Sequence, residues 1–456
     1  MDTTKSHETD IRSVYLPQHI VVLVHGNNGL AADFDAVEKS LWKKYGKRCM
    51  LIIKSRANET DTSLGVDMGG SRLAKEVVET VFEYDLCPVV TKYKVSFIGH
   101  SLGGLYARYA IVQIMDSLRC LHVEYVNFVT ICTPHLGSRR ARGSSTIKNI
   151  LRLGVHKVLA SRSIYGQTGV DLLLDAQEQQ ERVINADAME PARPLLEIMS
   201  DPNLEFIRSL KRFQYGTLIA MTDGDVVVPY PSASIRSHSP YASTFLTERY
   251  TEWRWHVHHS GFAVDACGRT NPAHSAFLEQ LNSKVDRLTK IKNHELGLDA
   301  SCTPRYPSIE GFDCDNKQEV EFPHEMLCSL QQVLPWRRID VTVEPCGVKG
   351  KMRLHDWPIN KMQSPDCYAD EFIDLLCDMI GADHEMRPLV TPDPVGKQHE
   401  CSAVALASRL KNVVKQSVNK SSSEKESVNS DAETNQSGMT SSISSSSAAS
   451  SDFLFV

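Results

Sequence analysis

A serine in a tight glycine turn is the strongest chemical signal in the chain. The segment Lys94–Ala110 reads KVSFIGHSLGGLYARYA, a short β-rich run followed by the turn G-H-S-L-G and an apolar helical pattern. The order strand, G-x-S-x-G, helix is typical of a nucleophile elbow, whose sharp turn lifts the serine oxygen clear of a sheet. We therefore predict that Ser101 is a nucleophile. The alternative is a glycine-rich turn whose serine only caps the helix.

Such a serine needs two hydrogen-bond donors that stabilise the oxyanion formed when an ester carbonyl is attacked. The backbone N–H of Leu102, at the start of the helix, is the first candidate. The second donor is expected from the loop after the first strand, which reads HGNNG at residues 25–29. We predict the N–H of Asn27, with Asn28 as the next candidate. An ordinary Gly/Asn turn is the alternative.

The elements around the serine turn alternate between apolar runs and helical patterns. Residues 19–24 (HIVVLV) and 49–53 (CMLII) are typical of strands buried on both faces, and apolar residues recur at helical spacing between them and over 71–86. Further strands are predicted at 95–98, 123–132, 217–221 and 338–343, and a last helix at 368–380. This alternation predicts an α/β fold, a mainly parallel twisted sheet with helices on both faces. A nucleotide-binding sheet is the alternative, but it would carry G-x-G-x-x-G where this chain has HGNNG.

Two aspartates compete for the role of catalytic acid. In an α/β-hydrolase the acid follows the serine in the chain and the histidine comes last. Asp223 and Asp225 both lie directly after the predicted strand at 217–221. Asp225 precedes the apolar run VVVP, which would anchor its loop, whereas an Asx turn beside Gly224 is sufficient to explain Asp223. We predict Asp225 as the acid and keep Asp223 as the alternative.

The catalytic histidine should lie between the last predicted strand and the last helix. His355 is the one histidine in that interval. It would take the proton of the serine, and the acid would orient its ring. The densest histidine cluster precedes the last strand and consists of His256, His258 and His259. A metal site is the alternative use of that cluster, but its spacing matches no standard zinc pattern. We therefore interpret these as loop or strand histidines, and we predict no metal site and no cofactor.

With these residues the chain resembles the "putative serine esterase" family of lipase-like α/β-hydrolases. Stretches that carry the resemblance include VVLVHGNNG, VSFIGHSLGGLYARYAI, TPHLGS, YGQTGVDLLLDA and DVVVPYPSASIRS. The nucleophile, acid and histidine of the family fall on Ser101, Asp225 and His355. The expected organisation is an α/β-hydrolase catalytic domain at 17–237 and 336–381, a lid or cap region at 138–213 within it, an insertion of unknown role at 238–335 and a disordered Ser-rich tail at 400–456.

The resemblance implies hydrolysis of carboxylic esters, with lipids as substrates, at membranes or lipid droplets. An apolar and basic helical pattern over residues 147–162 would let the lid lie peripherally on an anionic membrane surface, and packing on the core is the alternative. Two other functions stay open. One is a small-ester or thioester hydrolase on the same fold, and the other is a catalytically silent protein that uses the fold for interaction.

Composition limits the remaining possibilities. The chain has 456 residues, 41% hydrophobic content and a net charge of −6, which is ordinary for a globular protein and gives no basic field for nucleic acid. Twelve scattered cysteines and a polar N-terminus without a signal-peptide pattern lead us to expect reduced thiols in the cytoplasm. Ser, Asn, Lys and Glu dominate after residue 400, and such a composition cannot bury enough apolar surface to order the tail.

Overall fold

The computed structural model of the chain describes its central blocks. The described residues are 18–84 except 48, 93–138, 153–161 except 155–156, 165–174, 193–237, 239, 241, 253–262 and 323–386 except 335, 346, 352 and 364, with the backbone alone at 256, 258–262, 348 and 365. The predicted tail, most of the predicted insertion and most of the basic helical pattern at 147–162 lie outside the described residues. The domain boundaries given above therefore stay predictions.

Seven strands form one sheet. They are β1 (His19–Val24), β2 (Met50–Lys54), β3 (Tyr93–His100), β4 (Val123–Ile131), β5 (Tyr215–Met221), β6 (Arg254–Phe262) and β7 (Trp336–Glu344). Their order across the sheet is β2-β1-β3-β4-β5-β7-β6. All neighbours pair in parallel except β6, which lies antiparallel to β7 at one edge. The carboxyl ends of six strands therefore meet at the same edge of the sheet.

Helices connect and cover the strands. The α-helices are α1 (Asp35–Tyr45), α2 (Val66–Glu83), α3 (Leu102–Ser117), α4 (Gly166–Leu173), α5 (Leu195–Ile198), α6 (Glu205–Leu210), α7 (Tyr230–Ser234), α8 (His324–Val333), α9 (Gly347–Lys351) and α10 (Ala369–Asp383). Short 3-10 helices lie at Ala31–Phe34, Leu354–Ile359 and Pro365–Cys367. Within the described blocks, none of the helices is long and apolar enough to cross a membrane.

Both faces of the sheet are buried because successive strand residues are apolar. In β1, Ile20 and Val22 pack into one core with α2 and α3, while Val21 and Leu23 pack into a second core with α1 and α10. Side chains alternate between the two faces of a strand, so a continuous apolar run fills both cores. A mainly parallel sheet covered by helices on both faces confirms the predicted α/β-hydrolase fold class.

Two elements differ from the sequence patterns. The helix predicted at 71–86 begins earlier, at Val66, because the distant Asp171 carboxylate accepts the Val66 N–H at 2.8 Å and stabilises the start of the helix. The strand β6 lies inside the predicted insertion and extends the sheet beside β7. Its sequence, RWHVHHSGF, carries the histidine cluster and lacks the apolar run of the other strands.

A histidine pair, half-buried at His19 and fully buried at His384, lies at the opposite, amino-terminal edge of the sheet. The Nδ1 atoms of His19 and His384 are 3.1 Å apart, and His384 Nε2 lies 2.5 Å from Ser96 Oγ. The Asn127 N–H donates to that Ser96 oxygen at 2.9 Å. Burial lowers the pKa of His19 to about 4 and that of His384 to about 3, with Lys94 contributing to both shifts. Both rings are therefore neutral in the folded protein, and this chain of hydrogen bonds fixes the end of α10.

We expect the histidine pair to make folding sensitive to acid. A histidine whose pKa is depressed in the folded state stays neutral there, while the same histidine in the unfolded chain takes up a proton. Its contribution to the free energy of unfolding is therefore complete above pH 6.5 and is lost as pH falls below that value. For His384 the loss between pH 7 and pH 5 should be about 2 kcal/mol in free energy of unfolding. Urea unfolding at both pH values measures it. His384→Gln should show a correspondingly smaller loss, whereas the exposed His122→Gln should lose as much as wild type. Equal losses in all three proteins would contradict the assignment.

Candidate active site

Ser101 lies on the turn between β3 and α3, in a backbone conformation that is rare for a residue with a side chain. Its φ is 53° and its ψ is −127°. The backbone is packed so closely around this turn that only glycine fits at two positions. A Cβ on Gly99 would lie 2.5 Å from the Gly104 backbone, and one on Gly103 would lie 2.1 Å from the Val24 carbonyl oxygen. Strained conformations of this kind persist where the surrounding packing holds them. The Ser101 turn therefore has the form of the predicted nucleophile elbow.

The structure brings the three predicted catalytic residues together. His355 Nε2 lies 2.7 Å from Ser101 Oγ, and His355 Nδ1 lies 2.7 Å from Asp225 Oδ2. All three come from the carboxyl edge of the sheet: Ser101 follows β3, Asp225 follows β5, and His355 lies on the 3-10 helix after β7. This is the geometry in which a histidine can take a proton from the serine while a carboxylate orients its ring.

The loop after β5 separates the two aspartates that competed for the acid role. Asp225 Oδ1 accepts the N–H groups of Val227 and Val228, both at 2.9 Å, so its other oxygen is aimed at the imidazole. Asp223 instead accepts the N–H of its neighbour Gly224 at 2.9 Å, the local turn bond that the sequence indicated. Asp225 is thus the carboxylate in contact with His355.

The electrostatics of the pair suit a general base. Burial alone would lower the pKa of His355, but the Asp225 carboxylate raises it above its usual range. Burial would likewise raise the pKa of Asp225, but the imidazole and the N–H groups of Val228 and Val227 hold that pKa below its usual range. An ionised Asp225 in this position could stabilise the imidazolium that would form if His355 accepted a proton.

A second histidine supports the first, and the sequence patterns did not indicate this role. His100 directly precedes the serine, and its Nε2 lies 2.9 Å from the His355 carbonyl oxygen. Burial lowers the pKa of His100 to about 4, with a further contribution from His355, so the ring is neutral and its Nε2–H donates this bond. The two rings lie 5.0 Å apart. His100 thus holds the backbone of His355 beside the serine turn.

The loop after β1 passes directly over Ser101. A Cβ on Gly26 would lie 2.7 Å from the Ser101 Cβ, so only glycine permits this approach. The N–H of Asn28 donates to Thr62 Oγ1 at 3.1 Å and is already used. Among the residues that the structure describes, the N–H groups of Asn27 and Leu102 have no acceptor within the chain. They remain the candidates for the oxyanion site, as predicted.

Thr62 connects that loop to the rest of the site, a contact that no sequence pattern indicated. Its hydroxyl donates to Asn27 Oδ1 at 2.8 Å while it accepts the Asn28 N–H. Its carbonyl oxygen accepts the hydroxyls of Tyr106 at 3.2 Å and Thr168 at 2.6 Å. Thr62 is buried, with 4% of its surface exposed. The conformation of the loop at residues 25–29, called the oxyanion loop below for its candidate role, therefore depends on α3 and α4 through one threonine.

The thiol of Cys132 also lies close to Asp225 and His355. Cys132 follows β4 with a φ of 50° and is fully buried. One ligand atom each of Cys132, Asp225 and His355 lies within 4.8 Å of the others, and this is the single group of potential metal ligands found among the described side chains. The side chains of His256, His258 and His259, the cluster considered for zinc, lie outside the described part of the chain.

Comparison with known proteins finds a family to which about half of the chain is similar. Residues 16–238 match the family described as "Putative serine esterase (DUF676)", and this match confirms the resemblance. "Putative lipase ROG1" of Saccharomyces cerevisiae is 29% identical over 224 residues, which are 48% of this chain and 28% of that protein. "Putative lipase YDL109C" of the same yeast is 29% identical over 322 residues, which are 69% of this chain and 43% of that protein. The chain spans less than half the length of these curated relatives.

Solved structures show a weaker likeness. The peroxisomal alpha-beta-hydrolase Lpx1 of Saccharomyces cerevisiae covers 48% of this chain and 66% of its own length, at 13% identity and a TM-score of 0.26. The parallel strand order and the two buried faces of the sheet define the fold of this chain.

We expect the two aspartates to differ in their effect on activity. Asp225→Asn should lower kcat for a soluble p-nitrophenyl ester by about 10³- to 10⁴-fold, because the amide favours the wrong imidazole tautomer. Asp223→Asn should change it by less than about tenfold, since its bond is local. In wild type, kcat/KM should fall as pH drops below the raised pKa of His355, and in Asp225→Asn this limb should move to lower pH. Equal losses in the two variants would make Asp225 only structural.

Thr62 offers a test of the oxyanion loop. Thr62→Val keeps the side-chain volume but removes the hydroxyl that holds Asn27 and Asn28, so we expect kcat to fall by about ten- to a hundredfold with KM changed by less than about threefold. Thr62→Ser restores the hydroxyl and should recover most of that rate. The melting temperature of each variant controls for folding. A Ser variant as slow as the Val variant would show that the hydroxyl is not what matters.

Proposed function

We propose that this chain, whose residues 16–238 match the "putative serine esterase" family, is a serine hydrolase that cleaves carboxylic esters through an acyl-enzyme on Ser101. The observation that carries the proposal is the pair of 2.7 Å hydrogen bonds that join His355 to Ser101 and Asp225. A serine hydroxyl is a weak nucleophile at its free pKa, and an adjacent base oriented by a third group is what activates it.

The first half of the proposed reaction transfers the acyl group to the protein. Ser101 Oγ attacks the ester carbonyl carbon while His355 Nε2 takes the hydroxyl proton. The negative charge that develops on the carbonyl oxygen is stabilised by the backbone N–H groups of Asn27 and Leu102 and by the amino-terminal end of α3. The C–O bond to the alcohol then breaks, and the imidazolium returns its proton to the departing alcohol oxygen.

The second half releases the acid. Water loses a proton to His355 Nε2 and attacks the acyl carbon, and the same two N–H groups stabilise the second oxyanion. The bond between Ser101 Oγ and the acyl carbon breaks, and the serine regains its proton from the imidazolium. All steps use protein groups and water, in keeping with the expectation that no cofactor is required.

Lipid esters are the substrates that we propose. Two yeast relatives carry the name "Putative lipase", although each is matched over only part of its length. Three apolar side chains are also exposed: Leu30, which follows the loop after β1, Met68 in the first turn of α2, and Val227, two residues after Asp225, are 51%, 44% and 38% exposed. Exposed apolar side chains suit peripheral contact with a membrane or a lipid droplet.

A cytoplasmic location completes the proposal. Among the cysteines that the structure describes, Cys120, Cys132 and Cys377 carry free thiols. Cysteines persist as free thiols in reducing compartments. A lipid substrate would then be reached from the cytoplasmic side.

One experiment tests both the nucleophile and the substrate class. Wild type should react with a fluorophosphonate probe, and Ser101→Ala should not, because the probe bonds to the activated serine oxygen. The same two proteins are then given phospholipid vesicles, emulsified acylglycerols and short soluble p-nitrophenyl esters. Wild type should hydrolyse at least one lipid ester faster than the soluble esters, and Ser101→Ala should be at least about 10³-fold slower.

Each arm has its own opposing outcome. Labelling that persists in Ser101→Ala would place the nucleophile at another residue. Turnover of soluble esters alone would favour the small-ester or thioester hydrolase, and absence of turnover with every substrate would favour the interaction protein.

A further inference from the structure

We propose that Cys132, Asp225 and His355 form a binding site for a thiophilic divalent cation of the Zn²⁺ type, and that occupancy of this site switches the triad off. The inhibitory consequence rests on the function proposed above, whereas the binding itself does not. The site shares two residues with the triad but adds a third, Cys132, that the proposed hydrolysis does not use.

Geometry is the first argument for the site. One ligand atom from each of the three side chains lies within 4.8 Å of the other two. Zinc bonds of about 2.0 Å to nitrogen and oxygen and about 2.3 Å to sulfur place neighbouring ligand atoms about 3.3 to 3.7 Å apart in a tetrahedron. His355 Nδ1 and Asp225 Oδ2 are 2.7 Å apart, so zinc binding requires this distance to increase by less than about 1 Å. A water molecule would supply the fourth ligand.

Chemistry is the second argument. A thiol, an imidazole and a carboxylate are the three protein groups that Zn²⁺ uses, whereas Mg²⁺ and Ca²⁺ select oxygen ligands. The thiolate and the carboxylate together carry two negative charges, so they neutralise a divalent ion. This balance matters because Cys132 is fully buried and Asp225 nearly so, and an unbalanced charge there would be costly.

The backbone already holds the sulfur in place. The Cys132 N–H donates to the Ile219 carbonyl oxygen of β5 at 2.8 Å, and Cys132 has a left-handed φ of 50°. Burial and the Asp225 carboxylate raise the pKa of the thiol well above its usual range, so without a metal it is neutral and unreactive. The side chain of His355 keeps 11% of its surface exposed, so this ligand is in contact with solvent.

The binding step balances in protons. Zn²⁺ forms bonds to Cys132 Sγ, Asp225 and His355 Nδ1, and the thiol proton passes to solvent. The hydrogen bond between Nδ1 and Asp225 breaks, the Nδ1 proton is lost to solvent, and Nε2 takes one from solvent. The net result is release of one proton. Nε2 then carries a hydrogen toward Ser101 Oγ and can no longer accept the serine proton, so hydrolysis stops although the metal is not bonded to Ser101.

Cobalt gives a direct view of the sulfur ligand. Co²⁺ substitutes for Zn²⁺ and shows a thiolate charge-transfer band when sulfur binds it. We expect this band at one equivalent of Co²⁺ in wild type, in Ser101→Ala and in the matched control Cys49→Ala, whose cysteine is exposed. The band should be absent in Cys132→Ala and should disappear on addition of Zn²⁺. Its presence in Ser101→Ala, which cannot turn over, keeps the binding result separate from the proposed hydrolysis.

Inhibition is measured in the same set of proteins. Zn²⁺ should inhibit ester hydrolysis by wild type reversibly, with recovery on adding EDTA, and Mg²⁺ at equal concentration should not. Relative to each protein's own uninhibited rate, Cys132→Ala should need at least about tenfold more Zn²⁺ for half inhibition, and Cys49→Ala should match wild type. A band that persists in Cys132→Ala, or an unchanged Zn²⁺ requirement, would overturn the site.

A second variant keeps the test decisive if Cys132→Ala does not fold. His355→Gln removes the nitrogen ligand from a partly exposed position and should weaken Co²⁺ binding by at least about tenfold. Unchanged Co²⁺ affinity in His355→Gln would also overturn the site.

Discussion

Two hydrogen bonds to one imidazole ring are the geometric constraint that the sheet and its loops together satisfy. His355 is separated from Asp225 by 130 positions and from Ser101 by 254, yet each of its ring nitrogens lies 2.7 Å from its partner. Hydrogen bonds weaken steeply outside a narrow range of distance and angle, so the backbone must place all three side chains accurately. A parallel sheet achieves this because the carboxyl ends of its strands meet at one edge.

The rigidity of that edge comes from the burial below it. Apolar residues of β1 and its neighbours fill a core on each face of the sheet, which fixes the strand ends from which the loops begin. At the ends of these strands the backbone adopts an unfavourable local conformation. Ser101 has a φ of 53°, and the glycines around it permit backbone contacts that exclude any side chain. The packing of the fold therefore holds a strained turn that its own residues would not adopt alone.

Support for the site comes from residues whose roles are invisible in sequence spacing. His100 holds the backbone of His355, and Thr62 holds the loop that carries Asn27. Cys132 lies close enough to the acid and base to add a sulfur ligand to them. Each contact joins segments that are far apart in the chain, so hydrophobic periodicity and turn motifs carry no information about it.

The sequence by itself determined the fold class and nominated Ser101, Asp225 and His355, because alternating apolar patterns, a glycine turn and chain order are local or one-dimensional signals. It did not determine the early start of α2, which depends on Asp171, or the edge strand β6, whose residues lack an apolar run. Only the tertiary structure showed that Asp225, and not Asp223, contacts His355. It also showed that the Asn28 N–H donates to Thr62, so the Asn27 N–H is the one available to a substrate oxygen. Those choices are made by distances between remote atoms, and such distances exist only once the sheet has formed.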